Sequence, residues 1–418
     1  MKAITPLLTC TLAAAALPAL GADEARPFPQ HTVYTAGTLL PTAKDQAERD
    51  QAVAAFYRVW KAAYLRSTGE GQRYVFCNAE QTFTPKATRS VSEGHGYGML
   101  AAVLMAGADP EARADFDGMV RFFRAHPSEA NPPLMAWRQV ARGSTLVSQK
   151  GDRDSATDGD LDIACALLMA DRQWGSGGPI AYREEAGKVL AALRASEIDL
   201  RRHTLTLGNW VDAESPQWGG LRPSDFMPAH LKTFAAASAT QDSQEWARCT
   251  GATYRLLGNL QAAFSPRTGL PPDFVAWKGG AYRPASSGFL EGRNDGAYAY
   301  NACRVPWRLG TDYLLTGDPR ARALLRTINA WVVQATGGDP QKLNAGYRLD
   351  GTPLAADSSA AFVGPLAVAA MADPARQAWL DALWADLLAR APKGEDYYGN
   401  TVKLLTMIVL SGNWWQPL

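Results

Sequence analysis

The residues best suited to chemistry lie in three short acidic segments, each rich in glycine. The first is Ser92–Gly98, in which Glu93 precedes three glycines at the start of a predicted helix. Each glycine costs a helix about 1 kcal/mol relative to alanine, so the cluster favours a backbone that a ligand approaches closely. A capped, tightly packed helix would explain this segment alone equally well, and the other two segments weigh against that simpler explanation.

The second segment, Ala156–Ala164, carries three aspartates at the start of another predicted helix. Asp158 and Asp160 lie at its first turn, where the helix dipole favours carboxylates, and ordinary N-capping would account for one or two of the aspartates. Asp162 is flanked by apolar residues. We therefore expect Asp162 to be buried and to need hydrogen-bonding partners.

The third segment, Phe289–Gly296, places Glu291 and Asp295 before a stretch of aromatic residues and arginines, which indicates a lined cleft. Tryptophan is as frequent as phenylalanine, with 13 of each. Aromatic residues of the predicted loops include Trp137, Trp210, Trp218, Phe274, Trp277, Tyr397 and Tyr398. Flat aromatic faces suit the apolar faces of sugar rings, so carboxylates beside them point to glycoside hydrolysis.

The overall composition is typical of a soluble globular protein, with 47% hydrophobic and 20% charged residues among 418. The net charge is +1 and no basic run occurs, which argues against nucleic acid or an anionic membrane as partner. Histidine is rare and no phosphate-binding or dinucleotide-binding motif occurs, so we expect no metal ion and no organic cofactor.

Residues 1–22 predict a secretory signal peptide, because a lysine is followed by a short apolar stretch and small residues. Residues 23–418 predict a single domain without a membrane span, in a secreted or periplasmic protein that we expect to be a monomer. Of the four later cysteines, Cys165 and Cys303 lie in apolar helical runs and are expected to be small buried hydrophobes; Cys77 and Cys249 complete the set. One disulfide would be compatible with an oxidising compartment.

Apolar residues at helical spacing predict about twelve helices. The first includes Val53–Tyr64, and the others lie near residues 94–107, 111–126, 159–173, 180–196, 224–237, 243–264, 300–316, 318–335, 357–371, 374–390 and 397–411. The long stretches 127–157, 198–223 and 265–299 are rich in Trp, Asp, Gly and Pro, so we expect ordered loops that build a site. Alternating short and long connections indicate helical hairpins that close into a ring.

These motifs resemble glycoside hydrolase family 8, which contains endoglucanases, lichenases, chitosanases and some xylanases. The run from Ala156 to Trp174 resembles the family signature, and Ser92–Met99 resembles its acid-bearing segment. Further similar segments are Arg222–Pro228, Cys303–Arg308 and Ser411–Asn413. The resemblance implies an all-α fold, an (α/α)6 barrel of six helical hairpins, and hydrolysis with inversion at the anomeric carbon.

The resemblance also implies roles for single residues. Glu93 would be the general acid, and Asp158 would steady the distorted sugar between acid and base. Many members have their base Asp where this chain has Asn301, whose amide cannot accept a proton from water at neutral pH. A second branch takes its base from a loop Glu, which Glu291 resembles; Asp295 is the alternative. The residues implied to bind substrate are Tyr97, Trp137, Trp210, Tyr300, Arg304 and Tyr398.

The position of Glu93 makes a physical demand. A helix N-terminus should lower the pKa of this carboxyl, whereas a general acid must keep its proton near neutral pH. Burial or a neighbouring carboxylate must outweigh the dipole, and Asp158 is the natural neighbour. Inversion further requires the carboxyl groups of Glu93 and Glu291 to stand about 6.5–9.5 Å apart, with room for a water.

The sequence therefore predicts a secreted, inverting endo-β-1,4-glucanase that acts on cellulose-like or mixed-linkage β-glucan. A chitosanase is the first alternative, because further acids could pair with amino sugars; these are Asp212, Glu214, Asp225, Asp273 and Asp295. A xylanase is the second alternative. A non-catalytic polysaccharide-binding protein on the same scaffold is the third.

Overall fold

Twelve α-helices run through the part of the chain that this computed structural model describes, residues 24–82 and 84–417. They are α1 Gln46–Tyr64, α2 Ser92–Leu104, α3 Ala112–Ala125, α4 Thr157–Trp174, α5 Tyr182–Ser196, α6 Pro228–Ala237, α7 Thr240–Phe264, α8 Val305–Thr316, α9 Pro319–Thr336, α10 Ala360–Met371, α11 Gln377–Ala389 and α12 Tyr397–Leu410. The predicted helices match these elements one by one. The predicted signal peptide lies outside the described residues.

The even-numbered helices form a closed inner ring, in which each contacts the next and α12 returns to α2. The odd-numbered helices form an outer layer, where α3, α5, α7, α9 and α11 pack on the preceding inner helix and α1 packs on α12. Inner helices such as α2 and α10 are apolar and buried on almost every side, as expected for helices surrounded by others. The predicted (α/α)6 barrel is thus confirmed.

In the described residues, nine short strands lie in the connections and form three antiparallel pairs and one antiparallel three-stranded sheet, β3–β4–β5. They are β1 Leu65–Ser67, β2 Arg73–Val75, β3 Thr88–Val91, β4 Arg138–Arg142, β5 Thr145–Val147, β6 Ile198–Asp199, β7 Thr204–Leu205, β8 Val275–Lys278 and β9 Ala281–Pro284. The three long stretches expected to be ordered loops contain six of them, β4 to β9.

Residues 24–42, here called the N-terminal segment, cross one end of the barrel. Their backbone N–H groups donate to carbonyls at or just beyond the C-terminal ends of four inner helices, α2, α12, α8 and α10, at 2.5–2.9 Å. These bonds join Phe28 to Ala106, Thr32 to Gly412, Thr35 to Leu314 and Leu39 to Met371. The segment thereby satisfies carbonyls that helix ends leave without partners, and it covers this end of the ring.

Buried polar groups in the ring have specific partners. Asp162 is fully buried; Arg308 donates to both of its oxygens at 3.0 and 2.6 Å, and His230 Nε2 lies 2.9 Å from Oδ1. The expectation that Asp162 is buried and partnered is confirmed. The four described cysteines are buried and free, and none of them forms a disulfide. Burial was the expectation for Cys165 and Cys303. No helix within the described residues is long and apolar enough to cross a membrane.

Candidate active site

A cleft of about 400 Å³ lies at the end of the barrel opposite the N-terminal segment, where the inner helices begin. Its walls come from the first turns of α2, α4 and α12 and from the three long loops. The lining residues are Val91, Ser92, Glu93, Trp137, Ala156, Asp158, Arg222, Glu291, Tyr300, Asn301, Asp396 and Tyr398. All three acidic segments identified in the sequence therefore meet in one cleft.

Arg304 is the centre of the hydrogen-bond network beneath the cleft. It lies in a 3-10 helix, Ala302–Arg304, directly before α8 and is fully buried. Its Nη1 donates to Glu93 Oε2 at 2.6 Å and to Asp158 Oδ2 at 2.9 Å. Its Nη2 donates to Ser224 Oγ and Asn301 Oδ1, each at 2.9 Å. One guanidinium thus fixes the relative positions of two carboxyl groups and one amide.

Asp158 is held as an anion. It is buried at the first turn of α4, and its Oδ1 accepts the N–H of Gly159 at 3.0 Å. Arg222 Nη1 lies 3.0 Å from Oδ2, on which Arg304 also converges. Burial alone would raise the pKa of Asp158, but the two guanidinium groups hold this pKa well below its usual range. Asp158 therefore supplies a fixed negative charge in the cleft.

Glu93 has the opposite electrostatic balance. Its side chain is 20% exposed, and burial raises its pKa to about 7. The positive charge of Arg304 opposes this rise and the negative charge of Asp158 assists it. Burial, more than the neighbouring carboxylate, therefore outweighs the helix dipole at this position. The carboxyl can hold a proton near neutral pH and release it to a bound group.

Glu291 lies on the loop that follows β9, and its side chain is 52% exposed. Its Oε2 accepts a hydrogen bond from Asn301 Nδ2 at 2.7 Å, and its Oε1 lies 3.8 Å from Arg222 Nη2. Arg222 therefore contacts both Asp158 and Glu291, which places Asp158 between the carboxyl groups of Glu93 and Glu291 in the network. A half-exposed carboxylate with one oxygen anchored is suited to accept a proton from water.

Asp295 shapes the Glu291 loop from inside. It is buried, and its carboxylate accepts backbone N–H groups of Leu290, Glu291 and Gly292 at 2.7–3.2 Å. It does not line the cleft. The structure thus gives no support to Asp295 as the alternative base.

The aromatic residues predicted to bind substrate divide into two groups. Trp137, Tyr300 and Tyr398 line the cleft, and the Tyr398 hydroxyl donates to the Tyr300 carbonyl at 2.6 Å. Trp210 lies instead against a separate apolar cluster of Leu207, Val211, Phe274 and Ala285 and does not line the cleft. A sugar contact at Trp210 stays a prediction for a more distant part of the surface.

For Tyr97 and Arg304 direct substrate contact stays a prediction. Both are fully buried, and neither lines the cleft. The Tyr97 hydroxyl accepts a hydrogen bond from Arg304 Nη1 at 3.0 Å. Arg304 therefore positions Glu93 and Asp158 from the buried side of the cleft, and Tyr97 supports Arg304.

Sequence reasoning missed two residues of the cleft. Arg222 was part of a segment similar to the family, but the sequence analysis gave it no function. The signal was an arginine in a Gly- and Pro-rich loop, since a charged residue needs a partner when it is buried. Asp396 caps α12 by accepting the N–H of Gly399 at 2.9 Å, and an aspartate before an apolar helix was the signal for that cap. Within residues 24–82 and 84–417, no group of three or more His, Cys, Asp and Glu side chains could hold a metal ion.

Comparisons with known proteins agree with this geometry. The family model described as glycosyl hydrolases family 8 matches residues 27–412. A "Beta-glucanase" of Niallia circulans is 44% identical over 98% of this chain and 96% of its own length. An "Endoglucanase" of Bacillus sp. strain KSM-330 is 37% identical over 95% of this chain and 83% of its own.

The fold comparison gives the same answer. The apo structure of a β-1,3-1,4-glucanase from Paenibacillus sp. X4 superimposes with a TM-score of 0.87 at 43% identity, covering 94% of this chain and 99% of that one. The family model, the relatives and the solved structure all extend over nearly the whole barrel, including the three acidic segments that form the cleft. The chain is a glycoside hydrolase and belongs to glycoside hydrolase family 8.

Proposed function

We propose that the protein is an inverting endo-β-1,4-glucanase that hydrolyses mixed-linkage β-glucan, with Glu93 as general acid and Glu291 as general base. The observation that carries this proposal is that Glu93 and Glu291 line one cleft but differ in their exposure to solvent. Glu93 is mostly buried, with a pKa raised to about 7, and Glu291 is half-exposed and oriented by Asn301. Such a pair matches the two tasks of inverting hydrolysis.

The reaction follows from these environments. Glu93 gives its proton to the glycosidic oxygen as the bond to the anomeric carbon breaks. A water attacks that carbon from the opposite face and loses its proton to Glu291. The anionic Asp158 lies between the two groups and stabilises the positive charge that develops on the sugar ring. Trp137, Tyr300 and Tyr398 supply apolar faces for the neighbouring sugar units.

None of the five further acids that could have paired with amino sugars lines the cleft. Asp225, Asp273 and Asp295 are buried within the protein and do not line the cleft. Asp212 and Glu214 are exposed but also lie outside it. Three positions expected to attract amino sugars are therefore occupied by structural carboxylates.

Similarity to proteins named β-glucanase, endoglucanase and β-1,3-1,4-glucanase supports the same substrate class. The apolar stretch within residues 1–22 supports secretion, or export to the periplasm. A purely polysaccharide-binding protein would need neither a carboxyl with a raised pKa nor a second carboxylate oriented for water, so the enzyme is the better account of the cleft.

The test is hydrolysis of four soluble polymers: barley mixed-linkage glucan, carboxymethylcellulose, chitosan and xylan. We expect reducing ends to appear fastest on mixed-linkage glucan, with a rapid fall in viscosity that shows internal cleavage. Proton NMR of the first products should show the α-anomer. Faster release of reducing ends from chitosan or xylan would contradict the proposed substrate. A β-anomer as first product would contradict the inverting mechanism. Binding without release of sugar would favour a lectin-like role.

A further inference from the structure

A second groove, larger than the catalytic cleft, lies on the outside of the barrel. It has a volume of about 630 Å³ and runs between the outer helix α7 and the hairpin β8–β9. We call it the arginine groove. None of its lining residues belongs to the catalytic cleft. The hydrolytic mechanism therefore gives this groove no role.

The charge of the groove is positive. Arg202, Arg255 and Arg283 line it, and no aspartate or glutamate does. Arg202 is paired with Asp199 at 2.5 Å, at the edge of the groove. Arg255 and Arg283 are exposed, and neither forms an ion pair with an acid in the described part of the chain. Two guanidinium groups are thus available to an anionic ligand, and guanidinium binds carboxylate with two parallel hydrogen bonds.

Apolar surface lies beside these charges. Trp277 is 38% exposed, its ring centroid is 4.8 Å from that of Tyr282, and the Arg202 guanidinium stacks on it at 4.7 Å. Phe264 of α7 forms part of the facing wall. The β8–β9 register pairs Trp277 with Tyr282, so this apolar rim is fixed by the hairpin. The groove therefore presents positive charges next to ring faces that the hairpin holds in place.

We propose that the arginine groove binds an acidic polysaccharide through the carboxylates of its uronic acid units. A uronate presents an anionic group and an apolar ring face, which match the two surfaces of the groove. A neutral glucan would leave the arginines unused. A nucleic acid would need a longer basic track, whereas this chain has a net charge of only +1 and no basic run. No carboxylate lines the groove, so the bound chain would be held and not cut.

The experiment is electrophoresis of the whole protein through native gels that contain polygalacturonate, with barley glucan gels in parallel. The test variant is Arg255→Gln with Arg283→Gln. The matched control is Arg58→Gln with Arg326→Gln, which removes two other exposed charges of the outer layer. We expect polygalacturonate to retard the wild type and the control, and the test variant to bind about tenfold more weakly.

The result that would overturn the proposal is equal retardation of test variant and wild type, or no retardation of the wild type at low salt. Stronger binding of polyphosphate or DNA than of polygalacturonate would also overturn it, in favour of a phosphate ligand. Hydrolysis of barley glucan should be the same in all three proteins, because neither arginine pair belongs to the cleft. Since that activity is measured separately, failure of the groove proposal is distinct from failure of the proposed function.

Discussion

The two sides of the catalytic cleft are built in different ways. Glu93 and Asp158 stand on the first turns of α2 and α4, two neighbouring helices of the inner ring, and the buried Arg304 fixes both. Glu291 lies on a loop outside the ring. Its side chain accepts one hydrogen bond from Asn301, and its backbone N–H donates to the buried carboxylate of Asp295. The acid side is therefore part of the core, and the base side is attached to it.

This difference corresponds to the two chemical tasks. The acid must keep a proton that water would remove, so burial in a rigid wall is useful because it raises the pKa. The base must meet a water molecule, so an exposed loop is suitable provided that the carboxylate is oriented. Asn301 connects the two sides, since its carbonyl accepts from Arg304 while its amide donates to Glu291.

Removal of the acid should have the largest effect. In Glu93→Gln we expect kcat on barley glucan to fall by about 10³-fold, within the range for lost general acid catalysis. Wild-type activity should decline as pH rises through about 7, because Glu93 acts in its protonated form, and this decline should vanish in the variant. An aryl glycoside with a good leaving group needs little acid assistance and should lose far less; an equal loss on both substrates would contradict the assignment.

Removal of the base should lower activity by about 10²-fold. In Glu291→Ala the loss should be equally severe for polymer and activated aryl glycoside, because attack by water is impaired in both. Added azide should restore part of the rate by attacking the anomeric carbon in place of the activated water. Azide should not restore Glu93→Gln on barley glucan, and rescue of both variants would contradict the division of roles.

The connection between the two sides can be tested with Asn301→Ala. We expect kcat to fall about tenfold with little change in KM, because Glu291 loses the hydrogen bond that orients it. In a double-mutant cycle, the same substitution should have almost no further effect in the Glu291→Ala background. Independent, multiplicative losses would show that Asn301 acts by a route other than Glu291, such as its hydrogen bond with Arg304.

The last prediction concerns stability and not the rate of hydrolysis, at Asp225, which lies 3.8 Å from Arg222. Burial raises the pKa of Asp225 to about 8, against an ordinary value of about 3.9. The folded state then binds a proton that the unfolded state has lost between about pH 4 and 8, so unfolding free energy falls as pH rises through this range. Asp225→Asn should remove this pH-dependent part of the unfolding free energy, about 2–5 kcal/mol by pH 8. The decline of Tm between pH 5 and 8 should therefore be flatter in the variant.

The exposed Asp212→Asn is the matched control for that measurement, because it removes the same charge from the surface. It should leave the slope of Tm against pH as in the wild type. Parallel curves for wild type and Asp225→Asn would contradict the prediction, since a protonated buried carboxyl cannot leave the pH dependence unchanged when it is replaced.

The sequence predicted best those features that depend on local spacing. Glu93 and Asp158 could be found because each begins a helix with a regular apolar pattern, and the twelve helices were visible for the same reason. The role of Glu291 came only from family resemblance, because a loop residue has no periodicity that fixes its direction. The full burial of Tyr97 and Arg304 could not be predicted, because spacing shows that a motif faces the ring but not how deep in the ring each side chain lies.

Closure of the ring has a consequence for how this chain folds. The first helix, α1, packs on the last one, α12, which must also meet α2 to complete the inner ring. A nascent polypeptide that lacks its final residues can form only an open arc, with the apolar flanks of α2 and α10 still uncovered. Contacts between the most distant parts of a sequence form slowly. Synthesis of α12 is therefore the step after which the barrel can first become a finished, cooperative unit.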